Sequence, residues 1–294
     1  MNYPFHGTHT ALVTPLKDGA FDEAAFRQLI ASQFEAGVTG IVPVGTTGES
    51  PTLTHEEHEK VVAVAVEAAA GRPVMAGTGS NSTSEAISLT RAAEKAGAGA
   101  ALLVAPYYNK PSQEGLFQHF SAIAREVSIP LMLYSIPGRC GIEIGVETTA
   151  RLHAEFPHIC AIKEAGGSCE RVSQLRAKLP EAFEIMSGDD SLTVPFMSVG
   201  ASGVVSVASN LIPGVMSDLT RAMREGDLKT ATGLHTAYYP LFSGFLKLET
   251  NPVPIKTALA LTGALSGEVR LPLVAMNDEK TETLRRILSD LKLV

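Results

Sequence analysis

Residues 74–105, VMAGTGSNSTSEAISLTRAAEKAGAGAALLVA, decide how this chain folds. Residues 74–76 are a short apolar run that ends in a Gly- and Ser-rich turn, and residues 100–105 are a second apolar run. Between them lies a helical pattern opened by Ser82 with Glu85 three residues on, a capping box, and stopped at Gly97. A strand, a helix and another strand in this order make a βαβ unit, whose two strands lie parallel in one sheet.

The same alternation extends in both directions, from Thr8 to Ser209. Strands are expected at residues 9–14, 40–44, 74–76, 100–105, 131–136, 159–163, 183–187 and 204–207. Helical patterns fall between them, such as 23–35 ended by Gly37, and 56–70 opened by a capping box of Thr54 and Glu57. Eight such units fit an α/β fold of the (β/α)8 TIM-barrel kind better than an open doubly wound sheet, which is expected to begin on a GxGxxG turn that this chain lacks. After Ser209 the strand signals cease, and helices are expected at 213–225, 227–247, 253–262 and 279–293. The first closes the barrel and the others pack on it. The expected division is a barrel with the catalytic site over residues 1–225 and a C-terminal helical extension over 226–294, with no linker and no second independent domain.

Composition narrows the function. Of the 294 residues 45% are hydrophobic and 19% charged, as in an ordinary soluble enzyme. A net charge of -7 argues against nucleic acid or an anionic membrane as the main partner, yet leaves room for a small anionic substrate held by one or two local cations. Cys140, Cys160 and Cys169 are odd in number and form no CxxC pair, so neither a disulfide framework nor a zinc cluster is expected. The N-terminal MNYPFHG has no basic and apolar leader pattern, and no apolar run reaches the ~20 residues of a membrane span. A soluble, cytoplasmic protein with reduced thiols is the expectation.

Barrel enzymes carry their working groups at the C-terminal ends of the strands and in the loops that follow. Four clusters obey that rule. Lys163 ends the apolar run 159–165, ICAIKEA; desolvation there disfavours the ammonium and frees the amine to attack a carbonyl. The alternative is a lysine whose stem packs while its head reaches water. GTTGES at 45–50 turns backbone N–H groups and threonine hydroxyls toward an anion, or is simply a tight turn, and no Walker A lysine follows it. PYYNKP at 106–111 offers paired tyrosines suited to an interface. YSIPGRCG at 134–141 offers the Tyr134 phenol for proton transfer and the Arg139 guanidinium for a carboxylate or a structural ion pair. Gly188-Asp189-Asp190 and Gly203 to Ser206 lie at the ends of the last two strands. Together these groups suit Schiff-base chemistry on a keto acid, in which an imine nitrogen acts as electron sink for the neighbouring carbanion. No metal is called for, and His55 and His58, at i and i+3, lack both an HExxH pattern and a third ligand.

These stretches, with SGDD at 187–190, GVVSVASN at 203–210 and ETNPVPIK at 249–256, together resemble the dihydrodipicolinate synthase family of pyruvate-dependent class I aldolases and lyases. The resemblance runs in order over nearly the whole chain and implies a lyase without cofactor. Such an enzyme condenses pyruvate with L-aspartate 4-semialdehyde in diaminopimelate and lysine biosynthesis. By position, the resemblance makes Lys163 the imine-forming residue, Thr46 and Thr47 the holders of the pyruvate carboxylate, and Tyr134 the proton shuttle. It makes Thr46 a link from Tyr134 to Tyr108 of a neighbouring subunit, hence a homo-oligomer, expected to be a tetramer built as a dimer of dimers. It gives Arg139 to the carboxylate of the semialdehyde, and Gly188 and the Val205 carbonyl to the pyruvate end. It also implies an L-lysine effector pocket from Ser50, Pro51, His55, His58, Asn81, Glu85 and Tyr107. The plainer reading of that group is a solvated helix face for the histidines and a capping box for Glu85. Ser135 and Cys140 depart from the asparagine and threonine common in the family. Other aldolases of the superfamily, such as those resembling N-acetylneuraminate lyase, share the lysine, threonines and tyrosine but act on long neutral polyols; Arg139 favours a short aldehyde bearing a carboxylate. A barrel that only binds pyruvate or lysine is the remaining alternative.

Overall fold

The computed structural model describes residues 3–294. Its strands are β1 Gly7–Ala11, β2 Leu16–Lys17, β3 Ala20–Phe21, β4 Gly40–Val42, β5 Met75–Gly77, β6 Ala100–Val104, β7 Leu131–Ser135, β8 Ile159–Glu164, β9 Glu184–Ser187 and β10 Gly203–Ser206. β2 and β3 pair as a small antiparallel hairpin, too short to leave a periodic signal in the sequence. The other eight run parallel in the order β4-β1-β10-β9-β8-β7-β6-β5. The two ends of that order meet at a bridge between Ile41 and Val74, where Ile41 N–H donates to the Pro73 carbonyl at 3.1 Å and Gly77 N–H to the Pro43 carbonyl at 3.0 Å. The sheet thereby closes on itself as the expected (β/α)8 barrel. With helices outside and side chains inside, both faces of each strand are dry, which is why the strands read as continuous apolar runs.

Strand alternation sets what points inward. Met132 and Tyr134 on β7 share one face, as do Ala161 and Lys163 on β8, and all but the lysine belong to a cluster with Val42, Met75, Leu102, Met186 and Val205. Lys163 is thus the last inward position of the sixth barrel strand. Two larger apolar clusters fill the space between strands and helices.

The capping box at Thr54 is complete, with Glu57 N–H donating to Thr54 Oγ1 at 3.2 Å and Thr54 N–H to the Glu57 carboxylate at 3.0 Å. The box expected at Ser82 is only half made. Ser82 Oγ accepts from Glu85 N–H at 3.5 Å, but the Glu85 carboxylate accepts from Ser80 Oγ and meets His55 Nε2 at 2.6 Å. The Ser82 N–H that would have closed the box donates instead to Ser80 Oγ at 3.1 Å, leaving the Glu85 carboxylate to the hydroxyl and the imidazole.

β4 ends at Val42, two residues before the expected bound, because Val44 turns to a φ of 50°. A β-branched residue rarely adopts that conformation. Gly48 and Gly77 make room for it: a Cβ at 48 would come within 2.9 Å of the Val44 backbone, and one at 77 within 2.6 Å of the Val44 carbonyl oxygen. This bend lifts GTTGES over the barrel mouth.

The C-terminal helices are Leu228–Lys247, Val253–Leu261 and Asp278–Asp290, following Pro213–Glu225. They are tied to the barrel by a buried ion pair between Lys256 and Glu49, in which Lys256 Nζ also donates to the Glu268 carbonyl at 2.7 Å. Arg270 forks the Glu57 carboxylate at 2.6 and 2.7 Å. Among the described residues no helix is long and apolar enough to cross a membrane.

Candidate active site

Cross-strand register puts Tyr134 of β7 directly beside Lys163 of β8. Lys163 is 5% exposed, and its Nζ lies 4.1 Å from the centroid of the Tyr134 ring. Burial pulls the amine down from 10.5 to about 8, with Asp189 and Asp190 acting upward and Arg139 downward. About a tenth is therefore the free amine at pH 7, against a negligible share at the ordinary value, and the free amine is what a nucleophile requires. The lysine is not a snorkelling one. Gly188 packs on its stem, since a Cβ there would meet Ala165 Cβ at 2.6 Å and Lys163 Cε at 3.1 Å.

Tyr134 is 4% exposed, and burial raises its phenol above the ordinary value, opposed by the Arg139 charge and by hydrogen bonding to Thr46. Thr46 and Tyr134 line one small cavity of about 30 Å³ together with Gly45, Ser50 and Gly77. Thr47 is buried, and its Oγ1 accepts from Asn251 Nδ2 at 3.0 Å. Arg139 sits on a short helix, Pro137–Cys140, is exposed, and donates from Nη2 to the Asn251 carbonyl at 2.9 Å. It makes no ion pair with any described carboxylate. The structural ion pair allowed by the sequence is absent, leaving the guanidinium for a ligand. Val205 is fully buried on β10, beside His9 in register.

Ser135 and Cys140 both fasten the Arg139 loop. Ser135 Oγ accepts from Ile144 N–H at 3.3 Å, and Cys140 Sγ donates to the Ala105 carbonyl at 3.1 Å. Arg171 does the same from below: it donates from Nε to the buried Glu164 carboxylate at 2.7 Å, from Nη1 to Glu143 at 2.8 Å and from Nη2 to the Ile144 carbonyl. Glu164 directly follows Lys163, so this network joins the imine strand to the loop that carries Arg139. Asp190 accepts from Ser206 Oγ and from the N–H groups of Val207 and Ala208, and its burial nonetheless raises the carboxyl to about 6.

Tyr108 stands apart from these groups within one chain. It is 90% exposed, with a φ of 72°, on the loop after β6. A second cavity of about 200 Å³ is lined by Ser50, Pro51, Leu53, His55, His58, Gly79, Ser80, Glu85, Leu89 and Tyr107. Asn81 adjoins it by donating from Nδ2 to the Tyr107 carbonyl at 3.1 Å. His58 is not on a solvated face: it is 5% exposed, shares a hydrogen bond of 2.8 Å with the Gly77 carbonyl, and burial lowers its pKa. Size does not mark the chemistry, for a larger cavity, about 630 Å³, lies between the helix Glu23–Glu35 and the C-terminal helices and is lined by none of these side chains. Among the described residues no three His, Cys, Asp or Glu side chains gather as metal ligands.

Sequence reasoning gave no role to Asn251, to the Glu49–Lys256 pair or to Arg171. Asn251 lay inside the quoted motif ETNPVPIK, but nothing in a linear pattern says that residue 251 returns to residues 47 and 139.

The chain matches the family model described as the Dihydrodipicolinate synthetase family over residues 4–291. A curated relative from Nitratidesulfovibrio vulgaris, named 4-hydroxy-tetrahydrodipicolinate synthase, is 50% identical over 286 residues, covering 97% of this chain and 98% of the relative. The solved structure of the 4-hydroxy-tetrahydrodipicolinate synthase from Methylacidiphilum fumariolicum SolV is 53% identical, with a TM-score of 0.96 and coverage of 98% and 96%. A lysine-bound structure from Cyanidioschyzon merolae is 40% identical, with a TM-score of 0.96 over 100% of both chains. A barrel closed in this order, a buried lysine stacked on a tyrosine beneath a GTTGES turn, and a match that spans all but the ends of the sequence lead to one conclusion: the chain belongs to the dihydrodipicolinate synthetase family.

Proposed function

We infer that this chain condenses pyruvate with L-aspartate 4-semialdehyde to 4-hydroxy-tetrahydrodipicolinate, in the route to diaminopimelate and lysine. The observation that carries the reading is the buried amine of Lys163, lowered to about 8 and set 4.1 Å from the Tyr134 ring. The free amine attacks the keto carbon of pyruvate, and the carbinolamine loses water to give the imine. Loss of a methyl proton then yields an enamine, whose carbon attacks the aldehyde of the second substrate; the amine of that substrate then adds to the regenerated imine carbon and expels the Lys163 amine, which closes the ring and frees the enzyme. Tyr134, whose phenol burial keeps protonated, relays protons at the carbinolamine with Thr46. Tyr108, extended into solvent, completes the relay from a neighbouring copy, which supports a homo-oligomer, a tetramer of two dimers. Thr46 and Thr47 take the pyruvate carboxylate, and Gly188 with the Val205 carbonyl borders the same end. No cofactor enters this sequence of steps. The division into a barrel over 1–225 and an extension over 226–294 and a cytoplasmic location complete the proposal.

Arg139 takes the carboxylate of the semialdehyde. Its guanidinium has no carboxylate partner among the described residues, and a charge-assisted contact of this kind contributes on the order of 2 kcal/mol. Turnover with L-aspartate 4-semialdehyde should exceed that with neutral sugar-derived aldehydes, and Arg139→Ala should raise the KM for the semialdehyde about 10- to 100-fold. Faster turnover of a neutral sugar aldehyde would point instead to another aldolase of the superfamily.

The 200 Å³ cavity is an L-lysine effector site. Glu85 offers a carboxylate to an ammonium, while His55, Asn81 and the Tyr107 hydroxyl offer polar partners to a carboxylate. The lysine-bound relative supports this. Millimolar lysine is expected to slow the native enzyme and to give a calorimetric signal that Glu85→Gln abolishes. An unchanged rate and no heat from the native protein would contradict the assignment.

A further inference from the structure

The segment that follows the long helix Leu228–Lys247 reaches back over the barrel mouth and touches both halves of the site. Asn251 Nδ2 donates to Thr47 Oγ1 at 3.0 Å, and the carbonyl of the same residue accepts from Arg139 Nη2 at 2.9 Å. Five residues on, Lys256 is 2% exposed and paired with buried Glu49 at the end of the threonine turn, so the segment is anchored on the very loop it serves. Asn251 Oδ1 is buried and has no hydrogen-bond partner among the described residues. Buried acceptors left unpaired are rare in protein interiors away from functional sites.

We propose that Asn251 is a positioning residue of the keto-acid carboxylate subsite, its amide donating to Thr47 Oγ1 so that the Thr47 hydroxyl proton is left for the substrate carboxylate. This rests on the pyruvate reading of the site. A hydroxyl has one proton and can act as donor in only one direction at a time. With its oxygen accepting from Asn251, that proton is not spent on the amide and is available to the carboxylate, where a charge-assisted hydrogen bond is strongest. An isosteric carboxylate at 251 inverts the arrangement, because it can only accept, and it draws the Thr47 proton away from the substrate.

The test is steady-state kinetics on the full chain, with thermal unfolding to confirm that each variant is folded. Asn251→Asp should raise the KM for pyruvate by about 10-fold or more, and by more than Asn251→Ala does, while the KM for the semialdehyde changes little. In a Thr47→Val background Asn251→Ala should raise the pyruvate KM no further, since the asparagine acts through the hydroxyl that has been removed. If Asn251→Ala does not fold, Asn251→Ser takes its place in the same cycle. A pyruvate KM for Asn251→Asp equal to the native value, or effects of Asn251 and Thr47 that add, would overturn the proposal. Failure of the underlying reading shows separately, as native protein that forms no reducible adduct with pyruvate.

Discussion

Lys163→Met is expected to fold, to lose condensation by about 10³-fold or more, and to unfold at the same temperature as the native protein or higher when measured at pH 7. The loss of rate follows from removing the amine that forms the imine, since no other amine among the described residues is placed beside Tyr134 to replace it. The stability follows from linkage. A lysine whose folded pKa is about 8 instead of 10.5 binds fewer protons folded than unfolded between those values. Its charge therefore opposes folding, by about 3 kcal/mol when fully protonated. The penalty is complete below about pH 8 and fades as pH rises toward 10.5. Methionine keeps the apolar stem and removes the ionisation, so its advantage should be largest at neutral pH and shrink in alkaline buffer. Denaturant unfolding of both proteins at pH 7 and pH 10 checks the sign. A variant that is active, or one destabilised equally at both pH values, contradicts this picture of a desolvated nucleophile.

Tyr134→Phe separates proton transfer from packing. The ring stays beside the Lys163 amine at the barrel's inward face, and only the phenolic oxygen is lost. Positioned acid–base groups contribute about 10²- to 10⁴-fold, so kcat should fall by that order while the protein still forms the pyruvate adduct, more slowly. The contrast with Lys163→Met is informative: one variant slows the imine and the other makes it impossible. Pre-steady-state trapping with borohydride reads both. A Tyr134→Phe enzyme with native kcat would remove the phenol from the mechanism and shift the relay to Thr46 or to water.

The fold was legible because a parallel barrel writes itself as apolar runs spaced by amphipathic helices, and all eight barrel strands overlap their expected positions. What periodicity did not disclose were the places where the backbone departs from regular structure. Val44 bends at a left-handed φ only because Gly48 and Gly77 leave it room, and the hairpin β2–β3 is too short for any alternation to show. The site divides in the same way. Lys163 and Tyr134 could be paired from strand-end positions, since neighbouring parallel strands put their last inward residues side by side. Asn251, Lys256 and Arg171 act across long separations in sequence, on the order of 30 to 210 residues for most of their contacts, and a linear pattern carries no distance information of that kind. Glu85 shows the converse error: its spacing from Ser82 was a sound local signal, overridden by His55 and Ser80 once the chain had folded.

The most direct test of the central claim is borohydride reduction of the native protein with pyruvate, followed by digestion and mass spectrometry. A single pyruvate-dependent adduct is predicted on the peptide bearing Lys163, forming faster as pH is raised toward about 8, where the amine loses its proton. No adduct, or one on another lysine with Lys163 untouched, would contradict it.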